Sequence, residues 1–363
     1  MKVRRSIGDA FPCSFDVDDA CSRQMRQEVG PAAPIRSGAF SAPLAQRLRE
    51  AQVRWCHAID FWSSTDLLSG MKLQLHEHAG ERPGRVILYG YATERWRAAL
   101  SPESGVWDNV PGVREVVVID RRSKLLRQGW AGGQQSIVIP LRRRALQRFP
   151  RLYWNLAPTR RVHDTCFDKI RFDRFMRRAG FSDMLPDSWR RSGACRFPCV
   201  VKRNNEEGGF GVRAVHSAEE LAEVMAQPPF RNGPVIFQEL IEGLVDHATH
   251  CVVVDGRIVW HTSYAYDVDP ATRVQTPELH IARRRIVPDQ AVLGTFERVL
   301  MKLRFSGPVS FDWRPAGDGI VLFEINPRFG GSMMLPINRQ DLTAALTAVV
   351  GHARPPEWLA GLR

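Results

Sequence analysis

Asp312, Glu324 and Asn326 lie in or beside two short apolar runs near the C-terminus, at positions 308–313 and 320–325. Pro315-Ala316-Gly317-Asp318-Gly319 separates the runs, which predicts a hairpin. With the turn centred near Asp318, Asp312 faces Glu324 and Ser310 faces Asn326. Strand alternation then puts Glu324 and Asn326 on one face and Val321, Phe323 and Ile325 on the other. Opposed carboxylates repel across a strand pair. A cation between them removes the repulsion, and hard oxygen ligands suit Mg²⁺. A solvated sheet face carrying two acids is the plain alternative.

Three further segments carry chemistry-bearing residues. Lys202 ends an apolar run that enters Asn204-Asn205-Glu206-Glu207-Gly208-Gly209-Phe210-Gly211. A Gly-rich loop after a strand brings backbone N–H groups close to phosphates, and a lysine adds a point charge. The spacing matches neither the P-loop nor the dinucleotide fingerprint. Gln238-Glu239-Leu240-Ile241-Glu242-Gly243 is a strand running into a turn, suited to reading an adenine edge, with Asp246 in reach of a ribose. Asp168-Lys169 falls on the first turns of a helix, where a surface ion pair is the simpler reading.

The elements that must position these residues can be read from the apolar pattern. Runs at 85–91, 114–120 and 135–141 are continuous enough for buried strands of a parallel sheet. Helices are expected over about 44–61 and 165–178, the latter stopped by Gly180. Ser217-Ala218-Glu219-Glu220 reads as a capping box, and strands follow at 198–203 and 235–240. Asp255-Gly256 closes a hairpin over 249–264. Asp289 caps a helix through Leu293, Phe296, Val299 and Leu300, and a last helix stops at Gly351.

Composition narrows the function classes. The 363 residues are 44% hydrophobic and 25% charged, ordinary for a folded chain of two or three domains. The net charge of +12 comes from 45 Arg against 6 Lys, spread along the chain rather than gathered in a groove. That distribution argues against specific nucleic-acid recognition. Seven cysteines contain no CxxC pair, which fits reduced thiols in a cytoplasm. No signal peptide or 18-residue apolar span is read. His76-x-His78 and His247-x-x-His250 lack a third ligand, and Trp55, Trp62 and Trp96 read as core or interface residues.

In order and spacing, Lys169, Lys202 with its Gly-rich loop, Gln238-Glu239 and the acidic hairpin resemble the ATP-grasp superfamily, in particular its carboxylate–amine ligases. The resemblance covers about 160–351, and Glu324-Ile325-Asn326-Pro327-Arg328-Phe329-Gly330-Gly331-Ser332 is its most specific part. It implies an α/β chain in which a parallel α/β pre-grasp domain (44–155) precedes a two-subdomain grasp fold of α+β type. The small subdomain spans about 190–240 and the large one 241–351. Residues 1–43 then form an accessory extension and 352–363 a tail.

The resemblance further implies ATP with Mg²⁺, as two ions that Mn²⁺ could replace. Lys169 and Lys202 contact phosphates, and the loop with Glu207, Gly208, Gly209 and Gly211 closes over them. Gln238, Glu239, Leu240 and Ile241 line the adenine pocket. Asp312, Glu324 and Asn326 hold the metal, and Arg328 faces the transferred phosphoryl group. The implied reaction activates a carboxylate as an acyl phosphate for attack by an amine, from amino acids or peptides. A small-molecule kinase and a non-catalytic nucleotide-binding regulator are the alternatives, and a homodimer is compatible with either. One departure stands out: the family arginine two residues before the first acid is Ser310 here. Arg328 or one of Arg283, Arg284 and Arg285 is left to substitute, and the ribose contact falls to Asp246 or to another residue.

Overall fold

The computed structural model describes residues 82–356, apart from 91–92, 123, 126–134, 150, 207–210, 269, 271–273, 275–282 and 318. The extension, the helix expected over 44–61 and the His76/His78 pair lie outside them. Strands β1 (Arg85–Tyr89), β2 (Glu115–Ile119) and β3 (Ile137–Pro140) pair in parallel in the order β2-β1-β3. Alternation along β1 feeds two cores. Val86 and Leu88 pack with Trp96 and Leu100 of helix α1 (Glu94–Leu100), while Ile87 and Tyr89 pack with Tyr153 and with Ala145 of helix α2 (Arg143–Gln147). Burial on both faces is why these strands read as unbroken apolar runs.

The single helix expected over 165–178 is two helices, α3 (Arg160–Phe167) and α4 (Lys169–Arg178). The break is Asp168, extended at φ −82° and ψ 106°, whose carboxylate accepts from the Arg171 N–H at 2.8 Å. Aspartate satisfies an orphan N–H at a helix start and competes with the backbone inside one. Lys169 is thereby the first residue of a new helix. Gly180, at φ +86°, follows its last turn.

A second sheet contains β4 (Ser188–Trp189), β5 (Cys199–Arg203), β6 (Val212–Val215) and β7 (Val235–Glu239), antiparallel in the order β4-β7-β5-β6. Helix α5 (Ala218–Ala226) covers one face, burying Leu221 against Cys199, Val201, Val215 and Phe237. Ser217 accepts from Glu220 N–H at 3.2 Å, and the Glu220 carboxylate accepts from His216 N–H at 2.7 Å. Alternation leaves Val200, Lys202, Ile236 and Gln238 on the other face, with Lys202 paired to Ile236 and Val200 to Gln238.

The third sheet contains β8 (Val245–Val254), β9 (Arg257–Asp267), β10 (Arg283–Ile286), β11 (Gly307–Ala316) and β12 (Gly319–Asn326), antiparallel in the order β10-β9-β8-β11-β12. Asp255 and Gly256 have φ of 50° and 83°, the double left-handed turn that suits hairpin twist. One face packs Val253, Val309, Phe311, Trp313, Leu322 and Ile325 on helix α6 (Gln290–Leu303). Phe296 stacks on Phe311 with ring centroids 4.1 Å apart; each such buried ring contributes about 1.5–3 kcal/mol. Helix α7 (Arg339–His352) packs Leu342, Leu346 and Val349 in the core that holds Val252 and Tyr264, and runs one residue past Gly351. Strand β10 was not expected. Its Arg284 and Arg285 sit on the sheet's edge, where charged side chains discourage further pairing.

Candidate functional site

Asp312 pairs with Glu324 and Ser310 with Asn326. This is the register that the sequence predicts. The far end of the hairpin differs: Trp313 pairs with Leu322 and Ala316 with Gly319. Phe323 is therefore an extra residue, a bulge opposite the Asp312–Trp313 step. The bulge corrects the expected alternation. Ile320, Leu322 and Ile325 enter the core, while Phe323 leaves it and lies 5.3 Å from Lys202 Nζ and 5.4 Å from the Arg314 guanidinium. A residue expected in the core thus joins the acidic face, where its ring attracts both cations.

The acids face one another in a partly dry setting. Burial, followed by the charge of Glu324, pushes the Asp312 carboxyl up to about 7. Asn326 Nδ2 donates to Asp312 Oδ2 at 3.1 Å. Among the described residues no three His, Cys, Asp or Glu side chains form a metal cluster. The oxygen set is two carboxylates and a carboxamide. Their chemistry and the unfavourable proximity of the two acids fit a hard divalent cation.

Two lysines reach this face from different elements. Lys169 is buried, donates to the Glu206 backbone carbonyl at 2.9 Å, and places Nζ 3.3 Å from Glu324 Oε2. Asn204 sets its position, since Asn204 Oδ1 accepts from the Ile170 N–H at 2.9 Å at the start of α4. Lys202 projects from the second sheet, and burial lowers its ammonium to about 8 against the pull of Glu324. Gly211, at φ +73°, closes the Gly-rich loop; a Cβ there would stand 2.7 Å from Arg203 Cγ. Glu207, Gly208 and Gly209 lie outside the described residues.

Gln238 is buried on the Lys202 face, and its Oε1 has no hydrogen-bond partner among the described residues. An orphaned buried acceptor there fits an amino donor such as that of adenine. Glu239 is exposed, and its carboxylate instead accepts from the Asp187 N–H at 3.4 Å. Leu240 is buried and Ile241 is partly so. Asp246 is held by Arg314, whose Nε and Nη2 lie 2.9 and 2.7 Å from Asp246 Oδ1. Arg314 also donates to the Ile241 carbonyl and approaches Gly243, where a Cβ would stand 3.0 Å from Arg314 Cδ. The sequence reading missed Arg314. Its signal was the two-residue spacing after Asp312, which puts both on one face.

Arg328 donates to the Phe329 carbonyl at 2.8 Å, and its guanidinium lies 5.9 Å from the Trp96 ring of α1. Its charge acts to lower the Asp312 carboxyl. His247 and His250, three apart on a strand, take opposite faces and form no metal pair. His247 meets the edge of Trp313 at 4.4 Å, and His250 lies 2.8 Å from Ser332 Oγ. Of the β10 arginines, Arg284 pairs with Asp267 at 3.0 Å and Arg285 with Asp341 at 3.0 Å.

No protein-family model matches the chain, and no curated protein matches it. Solved structures do. A D-alanine–D-alanine ligase from Bacillus anthracis, also solved in complex with ATP, is 13% identical with a TM-score of 0.54, over 74% of this chain and 96% of that one. A phosphoribosylamine–glycine ligase from Thermotoga maritima is 16% identical with a TM-score of 0.55, over 75% and 77%. A D-Ala:D-Ser ligase from Enterococcus faecalis is 14% identical with a TM-score of 0.53, over 78% and 99%. The parallel sheet, the four-stranded sheet that presents Lys202 and the five-stranded sheet that presents the acids together make the ATP-grasp fold.

Proposed function

We propose that the chain is an ATP-dependent carboxylate–amine ligase that releases ADP and phosphate. The observation that carries this reading is the in-register apposition of Asp312 and Glu324, with Lys169 at 3.3 Å from Glu324 and the buried Lys202 held partly charged by the pull of the same carboxylate. Two acids facing each other beside two lysines suit a metal-bound polyphosphate, where cations alternate with anions. The fold shared with ligases supports it.

Asp312, Glu324 and Asn326 would hold Mg²⁺, which when bound neutralises phosphate charge and favours in-line phosphoryl transfer. Lys169 and Lys202 bind the phosphate chain, and the loop from Glu206 to Gly211 excludes water from the activated acid. Gln238 and the backbone at Leu240 and Ile241 orient the base. Arg328 steadies the transferring phosphoryl group. The ribose contact falls to Asp246, oriented by Arg314 through one carboxylate oxygen, or to another group.

The test supplies ATP and Mg²⁺ with pairs of small carboxylates and amines, amino acids included, and follows ADP release and product mass. ADP and a new amide are expected only when both partners are present. A phosphorylated product without an amine would identify a kinase instead. ATP binding without turnover under every pair would favour a regulator.

A further inference from the structure

We propose that Ser332 and His250 form the proton-accepting pair for the attacking amine, an inference that rests on the ligase reading. An amino group reaches a neutral-pH active site as ammonium and must lose a proton before or as it attacks. The arginines of the site stay protonated, and in the ligase reading Lys169 and Lys202 are committed to the phosphates and Asp312 and Glu324 to the metal. His250 is the one imidazole on this face of the third sheet among the described residues.

Its placement follows from the register. His250 pairs with Ser310, which pairs with Asn326, so His250 lies one strand from that of Asp312 and two strands, about 10 Å, from Asn326. The side chain is 3% exposed and its Nε2 lies 2.8 Å from Ser332 Oγ. Gly330 makes the approach possible, since a Cβ there would stand 2.3 Å from His250 Cε1. Ser332 itself is partly exposed, four residues after Arg328, and its carbonyl is pinned by Asn338 Nδ2 at 2.7 Å. A buried base thus reaches the surface of the site through one hydroxyl.

In the step, the ammonium gives a proton to Ser332 Oγ as the Ser332 proton passes to His250 Nε2. The amine lone pair forms the C–N bond at the acyl carbon, and the C–O bond to phosphate breaks. Phosphate leaves with the bonding pair and takes the second proton from the now cationic nitrogen, leaving the neutral amide, and the imidazolium later releases its proton to water. Ser332 touches the amine, and His250 is a relay behind it. The charged and titratable groups around the imidazole are Tyr264 of β9, with ring centroids 5.7 Å apart, and Asp341 of α7 through its bond to Tyr264.

The experiment compares two nucleophiles on the same activated acid. Hydroxylamine is largely unprotonated at neutral pH and traps an acyl phosphate as hydroxamate without a base, whereas an alkyl amine needs one. For His250→Gln and Ser332→Ala, the ratio of amide to hydroxamate formation at pH near 7 should fall about 100-fold. It should climb again with rising pH as free amine accumulates. Loss of both products in parallel, an unchanged ratio, or a lowered ratio that ignores pH overturns the proposal. Ser332→Ala removes only a partly exposed hydroxyl, so it decides the matter if His250→Gln fails to fold. Absence of both products in the unmodified protein would overturn the ligase reading itself and the pair with it.

Discussion

Lys169 Nζ stands 3.3 Å from Glu324 Oε2 while donating to the Glu206 carbonyl at 2.9 Å, so one ammonium joins α4, the start of the Gly-rich loop and the acidic hairpin. The same carboxylate faces Asp312 across the strand pair. In the proposed site Glu324 would have two partners by turns, the lysine and a bound cation. Glu324→Gln keeps the shape and drops the charge. Turnover should fall at least about 100-fold, since one electrostatic contact in a transition state is worth that much. Folded stability should fall by about 1–3 kcal/mol, because the buried lysine loses its counter-charge. ADP release and urea unfolding measure the two; full activity in the glutamine variant would remove the acid from the metal set.

Lys202 should show the opposite sign in stability. Its ammonium is lowered to about 8 because desolvation outweighs the attraction of Glu324. The folded state thus disfavours this charge at neutral pH. Lys202→Met should raise the thermal midpoint of the ligand-free protein while weakening nucleotide binding about tenfold or more, the worth of a charge-assisted hydrogen bond. Differential scanning fluorimetry with and without ATP reports both effects, and a lowered midpoint without ligand would contradict the argument.

Arg314 is the strap between β11, the strand of Asp312, and the chain that leaves the second sheet. It is 4% exposed, pairs with Asp246 and donates to the Ile241 carbonyl. Burial raises the Asp246 carboxyl and Arg314 counters it. Arg314→Met strands a buried carboxylate and should cost about 3–5 kcal/mol. The double variant with Asp246→Leu should recover much of that loss. A double-mutant cycle by urea unfolding checks this, and simple additivity of the two losses would mean the pair is not coupled.

Acid should destabilise the protein through two histidines. Burial lowers the imidazoles of His247 and His261 below 6.5, with Arg284 and Arg285 respectively adding to the effect. The unfolded chain then binds more protons than the folded one below the ordinary value. Their contribution is complete above about pH 6.5 and is lost as pH falls through the lowered folded values. Protonation of Asp312, raised to about 7, acts the other way over this range, so the histidine part is read as a difference: from about pH 7 to about pH 5.5 the urea midpoint of His247→Gln should gain on that of the unmodified protein. A difference that stays constant over this range would assign the acid sensitivity to other groups.

Much of the site was readable because its residues sit in strands whose periodicity is unambiguous. Asp312, Glu324 and Asn326 were placed in the right register from a turn and two apolar runs. Lys202 and Gln238 shared a face by alternation alone. The helix over 165–178 was misread because its apolar stripe continues past Asp168, and only the cap hydrogen bond to Arg171 breaks it. Phe323 was misread because a bulge carries no mark in an apolar sequence.

The sequence by itself determined the hairpin, the acid pair and the run of strands, since these depend on local period and turn chemistry. Tertiary structure alone decided which groups meet across long separations. Lys169 and Glu324 are 155 residues apart, Asp246 and Arg314 are 68 apart, and His250 and Ser332 are 82 apart. Such contacts follow from how three sheets stack and where a bulge turns a strand, and both are settled by packing of the whole core rather than by any one segment.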